Sequence, residues 1–401
     1  MNPSRFSIFG AACVFAVALS ACQPNYEALA QSVISSEFHD FRVAPVAEGL
    51  QDPWSIAFLP GGDMLITEKP GRLRIVRNGQ LLPDPVSGVP EVRYSGQGGL
   101  FEVLPHPEFA SNRLLYLSYA KPNVDGEGTT SVIRGKFDGR ALTNVQEIFE
   151  AKAWSNGGAH FGGKLAFDSK GYLFVTVGDR GVNPLSVPRH EHPAQLLNTH
   201  QGKVIRLHDD GRVPQDNPFV GNGDALPEIW SYGHRNLQGL VIHPDTDEVW
   251  TTEHGAQGGD ELNVVRPGRN YGWPVIGYGV QYGGIKIHDS THKDGMEQPI
   301  QHWVPSIATS GLMIYTGDQF PEWRGQFFVG GLAGQQIARV PVVSGDSGYQ
   351  VGRMERPPLL SGFGRIREIR QGPDGFIYIA FDDRRGGGLT PVMRMEPAGA
   401  G

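Results

Sequence analysis

The sequence predicts an all-β protein, and more specifically a six-bladed β-propeller with four-stranded antiparallel blades. Two observations predict this fold class. The 401 residues include 55 glycines and 30 prolines, a density that interrupts long helices and suits many short strands joined by turns. In addition, a turn followed by an alternating strand recurs six times along the chain, which is the sequence signature of a repeat architecture.

Each repeat has a turn rich in Pro, Asp or Gly, followed by a strand of β-branched and aromatic residues. The copies occupy residues 58–67, 104–119, 167–176, 242–252, 326–331 and 372–380, and the fifth is the loosest. Intervals of roughly 45 to 85 residues leave room for four strands in each repeat. A large β-sandwich with common hairpin turns is the alternative, but six ordered copies favour the propeller. Since inner propeller strands surround a channel, we expect the functional site just before or after these strands.

The N-terminus predicts export from the cytoplasm. One basic residue, Arg5, precedes an apolar run that is too short to span a bilayer. The run closes on Leu-Ser-Ala-Cys, which resembles a lipoprotein cleavage site, so residues 1–21 are predicted to be a signal peptide and Cys22 to be acylated. The prediction is a periplasmic protein with a lipid anchor, the outer membrane being favoured. The alternative is ordinary cleavage after Ala30, which would leave a soluble protein.

The rest of the chain is predicted to be a linker over residues 22–37 and one propeller domain over residues 38–398, because no Ser/Gly-rich stretch or charge block divides it. The only cysteines are Cys13 and Cys22, so the mature domain has no thiol for disulfides, zinc ligation or nucleophilic catalysis. The formal net charge is −7 and no basic stripe occurs, which argues against a nucleic-acid partner.

A histidine and an aspartate flank the strand of the third repeat. His160 lies on the loop that enters this repeat, and Asp179 lies where its strand ends. A histidine oriented by a carboxylate on its other nitrogen is the arrangement expected of a general base, although spacing alone fits a structural contact more often. His190, His192 and His200 form a weaker candidate for zinc, because no strand or helix fixes their geometry.

Three further segments concentrate polar side chains. Arg235 and Asn236 stand in a turn between glycines, where a cation would meet an anionic ligand. Segment 252–263 places three acids among glycines, which suits calcium but equally suits a solvated acidic loop. Arg365 and Arg367 stand two residues apart, so on a strand both point to the same face. On an inner strand such a pair would require carboxylates or phosphates.

Taken together, these motifs resemble the pyrroloquinoline-quinone (PQQ)-dependent glucose/sorbosone dehydrogenase family and, within it, the bacterial aldose sugar dehydrogenases. The resemblance covers residues 45–396 and rests on motifs that occur in family order. In this chain they are segments 96–100, 160–163, 178–179, 202–207, 233–239, 253–261, 270–274 and 365–367. One such motif has little weight, but an ordered set over nearly the whole mature chain is specific.

The resemblance implies an enzyme that oxidises an aldose at its anomeric carbon to the lactone and passes the electrons to an external acceptor. It implies that His160 takes the proton of the anomeric hydroxyl while hydride passes to the quinone, with Asp179 orienting the imidazole. Gln97 would lie beside the sugar hydroxyl, and Arg235 beside the quinone oxygen that gains negative charge. The residues implied to hold PQQ are Arg235, Asn236, Arg365 and Arg367, the last two facing its three carboxylates.

The resemblance also implies calcium. The main-chain carbonyls of Gly255 and Ala256 would bind the calcium at the quinone, and Glu261 and the main chain of Tyr271 would bind a second, structural calcium. Both assignments come from the family and not from the composition of the loop.

This chain departs from the family pattern at Ala333, where well-known members carry a lysine that contacts the cofactor. Gln335 and Lys164 are the candidates to compensate for the missing charge. Two other functions stay open on the sequence. One is a calcium-dependent propeller hydrolase of the lactonase type, which would not need the arginine pair. The other is a cell-surface binding propeller that has lost its cofactor.

Overall fold

Each of the six repeated turns joins the innermost strand of a small antiparallel sheet to the second strand of the same sheet. The computed structural model that shows this describes residues 25–346, 348–383 and 388–399, so the predicted signal segment with Cys13 and Cys22 lies outside the described residues. Glycines with left-handed backbone, such as Gly62 (φ 89°) and Gly171 (φ 81°), close these hairpins.

The strands have the following bounds in chain order: β1 (Phe41–Gln51), β2 (Pro53–Phe58), β3 (Met64–Glu68), β4 (Arg72–Arg77), β5 (Gln80–Leu81), β6 (Leu100–Pro105), β7 (Leu114–Pro122), β8 (Gly128–Phe137), β9 (Leu142–Glu150), β10 (Leu165–Phe167), β11 (Leu173–Val177), β12 (Lys203–Leu207), β13 (Ile229–Tyr232), β14 (Leu237–Ile242), β15 (Val249–Glu253), β16 (Asp260–Val265), β17 (Gln301–Trp303), β18 (Thr309–Ile314), β19 (Phe327–Gly331), β20 (Gln336–Val340), β21 (Val342–Gly345), β22 (Gly348–Val351), β23 (Arg365–Gln371), β24 (Ile377–Asp382) and β25 (Leu389–Pro397). Helices are short: α1 (Tyr26–Gln31), α2 (Phe109–Asn112) and 3₁₀ turns at Arg189–Glu191, Pro193–Gln195 and Pro321–Trp323. In the part of the chain that the structure describes, none of them is long and apolar enough to cross a membrane.

These strands form six blades, each antiparallel. Blades 1 to 4 are β2-β3-β4-β5, β6-β7-β8-β9, β10-β11-β12-β13 and β14-β15-β16-β17; blade 5 is β18-β19-β20; and blade 6 is β23-β24-β25-β1. The inner strand of each blade contacts that of the next, and β23 returns to β2, which closes the ring. The prediction of a six-bladed β-propeller is confirmed. Among the described residues five blades have four strands and blade 5 has three, with β21 and β22 forming a separate hairpin.

Apolar side chains fill the spaces between neighbouring blades. One cluster joins Leu65 of blade 1 to Leu117 of blade 2, another joins Ile56 of blade 1 to Val392 of blade 6, and four others occupy the remaining junctions. Each sheet is therefore covered on both faces. For this reason strands such as β3 and β11 are buried along their whole length, and hydrophobic burial holds each blade to its neighbours.

The first and last strands of the ring lie side by side, because β1 pairs antiparallel with β25. Ahead of β1, helix α1 packs on this blade: Leu29 is fully buried and the ring of Tyr26 lies 5.0 Å from that of Phe381. The sequence predicted only a linker over residues 22–37 and did not indicate this helix.

Polar residues gather at one end of the ring, where the inner strands begin and the second strands end. Lys69 follows β3, Asp179 lies beyond the end of β11, and His254 follows β15. Farther along the inner strands a buried ion cluster crosses the channel. In this cluster Lys164 lies 3.0 Å from Glu102 and pairs also with Glu368, so side chains from blades 3, 2 and 6 meet there.

Candidate active site

A cavity of about 360 Å³ lies at the end of the ring where the inner strands begin. Its aromatic walls come from Trp54, Phe101 and Phe161. Its polar side chains are Lys69, Gln97, Gln238, His254, Tyr282, Arg365, Arg367, Asp382 and Asp383. The volume is in the range of roughly 300–1,000 Å³ that small-molecule sites occupy. Flat apolar walls with several cations suit a planar organic ligand that carries negative charge.

His160 and Asp179 meet beside this cavity. Nδ1 of His160 lies 2.6 Å from Oδ1 of Asp179, and Oδ2 of Asp179 accepts a hydrogen bond of 2.8 Å from Nε1 of Trp273. The main-chain nitrogen of His160 donates to Oε1 of Gln97 at 2.8 Å, and Gln97 is part of the cavity wall. The structure thus brings together His160, Asp179 and Gln97, which the sequence analysis had placed in one site.

The Asp179 carboxyl is fully buried, yet it is held in its ionised form. Burial alone would raise its pKa, but the charge and hydrogen bond of His160 and the charge of Arg235 outweigh burial, and the pKa of Asp179 is lowered. An ionised carboxylate accepts, so Nδ1 of His160 carries the proton of the shared hydrogen bond. Nε2 is then the basic nitrogen, available to a ligand.

The loop that carries His160 is held by two arginines that no sequence motif had singled out. Arg180 donates to the carbonyl of Gly157 at 3.0 Å and lies over the ring of Phe161, 3.4 Å from its centroid. Arg93 donates to the same carbonyl at 3.3 Å. Burial and the charge of Arg93 lower the pKa of Arg180 to about 9. Because His160 itself has a left-handed backbone (φ 50°), which is uncommon outside glycine, we infer that these contacts maintain its conformation.

Arg365 and Arg367 both reach the cavity wall from inner strand β23, as their spacing predicted. Nε of Arg365 donates to Oδ2 of Asp382 at 2.9 Å, and Nη2 of Arg367 lies 3.7 Å from the same oxygen. Nη1 of Arg367 donates to Gln238 at 3.1 Å, whereas its Nε is buried without a hydrogen-bond partner among the described residues. Two guanidinium groups thus share the Asp382 carboxylate in this wall.

Arg235 and Asn236 lie behind the same cavity. The guanidinium of Arg235 donates to the carbonyls of Gly255 and His254 and lies 5.1 Å from the ring centroid of Trp273. Asn236 is fully buried, and its Nδ2 has no partner within the described ranges. The same holds for Nε2 of His254, whose pKa is lowered to about 3 by burial and by the charge of Arg235. Buried donors without partners are costly, so these atoms mark places where a ligand would bind.

A second cavity, of about 20 Å³, adjoins the first. The family resemblance divided four residues between two calcium ions, Gly255 and Ala256 at the quinone and Glu261 and Tyr271 at a structural site, and all four line this one cavity. Glu253 also lines it and stands opposite Glu261 on the neighbouring strand. Burial and the charge of Glu253 raise the pKa of Glu261. The volume leaves room for about one water-sized sphere.

The histidines considered for zinc do not converge. His190 is exposed, His192 accepts a hydrogen bond from the main chain of Ala194, and His200 lies 2.9 Å from Glu228. Within residues 25–346, 348–383 and 388–399, no group of three or more His, Cys, Asp or Glu side chains is arranged to hold a metal ion. The zinc hypothesis is therefore wrong for the part of the chain described.

Neither residue expected to compensate for Ala333 does so. Lys164 is engaged by Glu102 and Glu368, and Gln335 is exposed, as is Ala333 itself. The lysine in the cavity wall is instead Lys69, which the sequence analysis missed. It also assigned no role to Trp273 or His254, although both belong to motifs that it recognised. A tryptophan two residues after Tyr271 in a recognised motif was the one signal that pointed to Trp273.

Comparison with known proteins gives matches over most of the chain. The family model for Glucose / Sorbosone dehydrogenase matches residues 50–390, a span that includes the residues of both cavities. Aldose sugar dehydrogenase YliI of Escherichia coli (strain K12) is 40% identical over 349 residues, which cover 86% of this chain and 91% of that protein.

Solved structures are similar as well. A crystal structure of a glucose dehydrogenase superposes with a TM-score of 0.81 at 42% identity, covering 89% of this chain and 99% of that one. The PQQ-bound form of Aldose Sugar Dehydrogenase from Streptomyces coelicolor superposes with a TM-score of 0.68 at 26% identity, covering 89% of this chain and 98% of that one.

Proposed function

Because the chain belongs to the glucose/sorbosone dehydrogenase family and is an oxidoreductase, we propose that it oxidises aldoses at the anomeric carbon to lactones, using bound PQQ and calcium, and passes the electrons to an external acceptor. The observation that carries this proposal is the His160–Asp179 pair beside a cavity whose wall contains both Arg365 and Arg367. The PQQ-bound relative from Streptomyces coelicolor supports the choice of quinone.

The residues of the larger cavity fit a tricarboxylic quinone. Arg365 and Arg367 would hold its carboxylates, and Nε of Arg367 and Nδ2 of Asn236 are buried donors that would gain partners. The rings of Trp54 and Phe161 match a planar molecule. When bound, the quinone supplies the two-electron acceptor for the hydride that leaves the sugar.

Calcium fits the smaller cavity by the chemistry of its donors. The main-chain carbonyls of Gly255 and Ala256 would bind the calcium at the quinone, and the side chain of Glu261 and the main-chain carbonyl of Tyr271 would bind the structural calcium. All of these are hard oxygen ligands. Oδ1 of Asn263 is buried without a partner among the described residues, while its amide nitrogen donates to Glu253 and Glu261. The carbonyl of Gly255 already accepts a hydrogen bond from Arg235. A carbonyl oxygen has two lone pairs, so the carbonyl of Gly255 can bind a cation while it still accepts this hydrogen bond.

The protein's own groups then have distinct roles. Nε2 of His160 accepts the proton of the anomeric hydroxyl, and the ionised Asp179 stabilises the imidazolium that forms. Trp273 holds the far oxygen of that carboxylate. Arg235 would stabilise the negative charge that a quinone oxygen gains when the cofactor is bound, because a cation already held in a largely buried site needs no reorganisation.

The test is reconstitution of purified apoprotein with PQQ and calcium, followed by dye reduction with a panel of aldoses. We expect reduction that depends on the quinone, on calcium and on the sugar, and that a calcium chelator lowers. Opening of a lactone without quinone would instead identify a propeller hydrolase. Absence of both activities, with the protein folded, would identify a binding propeller, and either result would overturn the proposal.

We also propose that the protein is a periplasmic lipoprotein attached through Cys22, on the basis of the residues that precede it. A lipid anchor contributes attachment and nothing to the channel. Cys22→Ala should therefore move the protein from the membrane fraction to the soluble periplasm without loss of specific activity. An unmodified mature N-terminus at Gln31, read by mass spectrometry, would show that the ordinary cleavage site is used.

A further inference from the structure

We propose that Lys69 is a cofactor-binding residue, which supplies a third cation for the carboxylates of the bound quinone in place of the lysine missing at Ala333. The inference rests on the proposed function, since it concerns the same tricarboxylic cofactor. It adds a residue that lies on blade 1, whereas the arginine pair belongs to blade 6.

The main chain of Lys69 is held in place between blades 1 and 2. Its nitrogen donates to the carbonyl of Asp52 at 3.0 Å, and its carbonyl accepts from the nitrogen of Leu100 at 2.9 Å. A Cβ atom on Gly99 would lie 2.4 Å from the Lys69 carbonyl, so this close approach requires glycine. The side chain therefore starts from a defined position at the mouth of the channel.

The side chain of Lys69 extends into the wall of the larger cavity, where Arg365, Arg367 and Asp382 also lie. Its ammonium donates to the carbonyl of Gly96 at 3.3 Å, a long bond to a neutral acceptor. The nearby carboxylate of Asp382 takes its hydrogen bond from Arg365 and lies 3.7 Å from Arg367. The residue is half-buried, so its charge is only partly hydrated.

The wall brings three cations close together. Lys69, Arg365 and Arg367 share the wall with Asp382 and Asp383, and the buried carboxylate of Asp52 also acts on Lys69 and Arg367. Burial and the charge of Arg367 lower the pKa of Lys69, which means that its charged form is disfavoured there. A carboxylate bound among the three cations would reverse this cost, because an opposite charge nearby stabilises the charged form.

The other lysine near the cavity cannot take this role as the structure stands. The ammonium of Lys164 lies between Glu102 and Glu368 and 4.4 Å from the ring centroid of Trp54, so its charge is already neutralised. Lys69 is thus the lysine of the cavity wall whose hydrogen bond goes to a carbonyl and not to a carboxylate.

The test is equilibrium binding of PQQ to apoprotein in excess calcium, measured by dialysis and absorbance and not by turnover. We expect Lys69→Met to raise the Kd at least about tenfold, or about 1.4 kcal/mol, and Lys69→Arg to stay within about threefold of wild type. Lys170→Met removes an exposed lysine from a turn at the far end of blade 3 and should have no effect. Lys69→Gln repeats the test if Lys69→Met does not fold.

The trimethyl ester of PQQ separates a charge contact from a packing contact. If Lys69 binds a carboxylate, wild type and Lys69→Met should bind the uncharged ester equally, and a tenfold difference that persists would overturn the proposal. An unchanged Kd for PQQ in Lys69→Met would also overturn it, while leaving the proposed function intact. Failure of the wild type to bind PQQ at all would overturn both.

Discussion

Replacing Asp179 with asparagine tests, with the smallest change in shape, whether Asp179 stabilises the protonated ring of His160. Asp179 accepts hydrogen bonds from Nδ1 of His160 at 2.6 Å, from Nε1 of Trp273 at 2.8 Å and from the nitrogen of Gly181 at 2.8 Å. Asparagine has only one acceptor oxygen. If that oxygen serves His160 and Gly181, the amide nitrogen faces the Trp273 donor; if it serves Trp273, the nitrogen faces His160.

The magnitude follows from these contacts. Asparagine removes the charge that stabilises a protonated His160, and a hydrogen bond to a charged group contributes about 1.5–3 kcal/mol. We therefore expect Asp179→Asn to lower turnover about 10- to 150-fold, since 1.4 kcal/mol is a factor of ten. Two opposed donors in a buried site should also lower the free energy of unfolding by about 1–3 kcal/mol.

The assay is steady-state dye reduction by reconstituted protein, with PQQ binding and thermal unfolding measured on the same samples. Asp168→Asn is the matched control, because Asp168 accepts from the nitrogens of Lys170 and Tyr172 in a turn at the opposite end of blade 3. It should turn over normally. If Asp179→Asn folds, binds PQQ and has a turnover rate within threefold of wild type, the role assigned to Asp179 is refuted.

Three further predictions concern other parts of the molecule. Arg367→Ala should weaken PQQ binding by about 2 kcal/mol or more, because a carboxylate loses a buried charged partner; an unchanged midpoint in a titration of apoprotein would contradict this. His160→Gln should lower turnover by at least about two orders of magnitude and leave PQQ binding intact, as loss of a general base does; turnover within a few-fold of wild type would remove His160 from the mechanism. The buried ring of His288 donates to the carbonyl of Pro274 at 2.8 Å, and burial lowers its pKa to about 4. The pKa of histidine in the unfolded chain is about 6.5. The stability that the neutral His288 ring contributes is therefore fully present above pH 6.5 and is lost as pH falls toward 4. The free energy of unfolding of His288→Asn, measured in urea, should fall less between pH 7 and pH 4.5 than that of wild type.

The fold could be predicted because its signal is local. Each blade begins with a turn between two strands, and in blades 1 and 3 the turn contains a left-handed glycine, Gly62 or Gly171, that is visible within a few consecutive positions. That blade 5 has only three strands could not be predicted, because nothing in the sequence near Val340 indicates that the strand ending there is the last of its blade. Helix α1 was missed because it has only six residues and its one local signal is the Asn25 cap, whereas burial of Leu29 against blade 6 depends on the fold.

The candidate site was predictable to the extent that it lies within single blades. His160 and Asp179 flank the strands of blade 3, so spacing alone could bring them together. Trp273 reaches Asp179 from 94 residues away, through a loop between β16 and β17 that has no periodicity. Lys69 precedes a proline in what reads as an ordinary turn, and only closure of the ring places it near Arg367.

The pairing of β1 with β25 has a consequence for the order of events in folding. Partners in this pair, such as Phe41 and Pro397, lie at opposite ends of the chain, so the contact is among the least local in the molecule. We expect that blades 1 to 5 can assemble during synthesis as an open arc, whereas the ring closes only after the ribosome releases the last strand. Ligand binding should then lag behind the gain of β-structure during refolding, because Lys69 and Arg367 lie on opposite sides of the final junction.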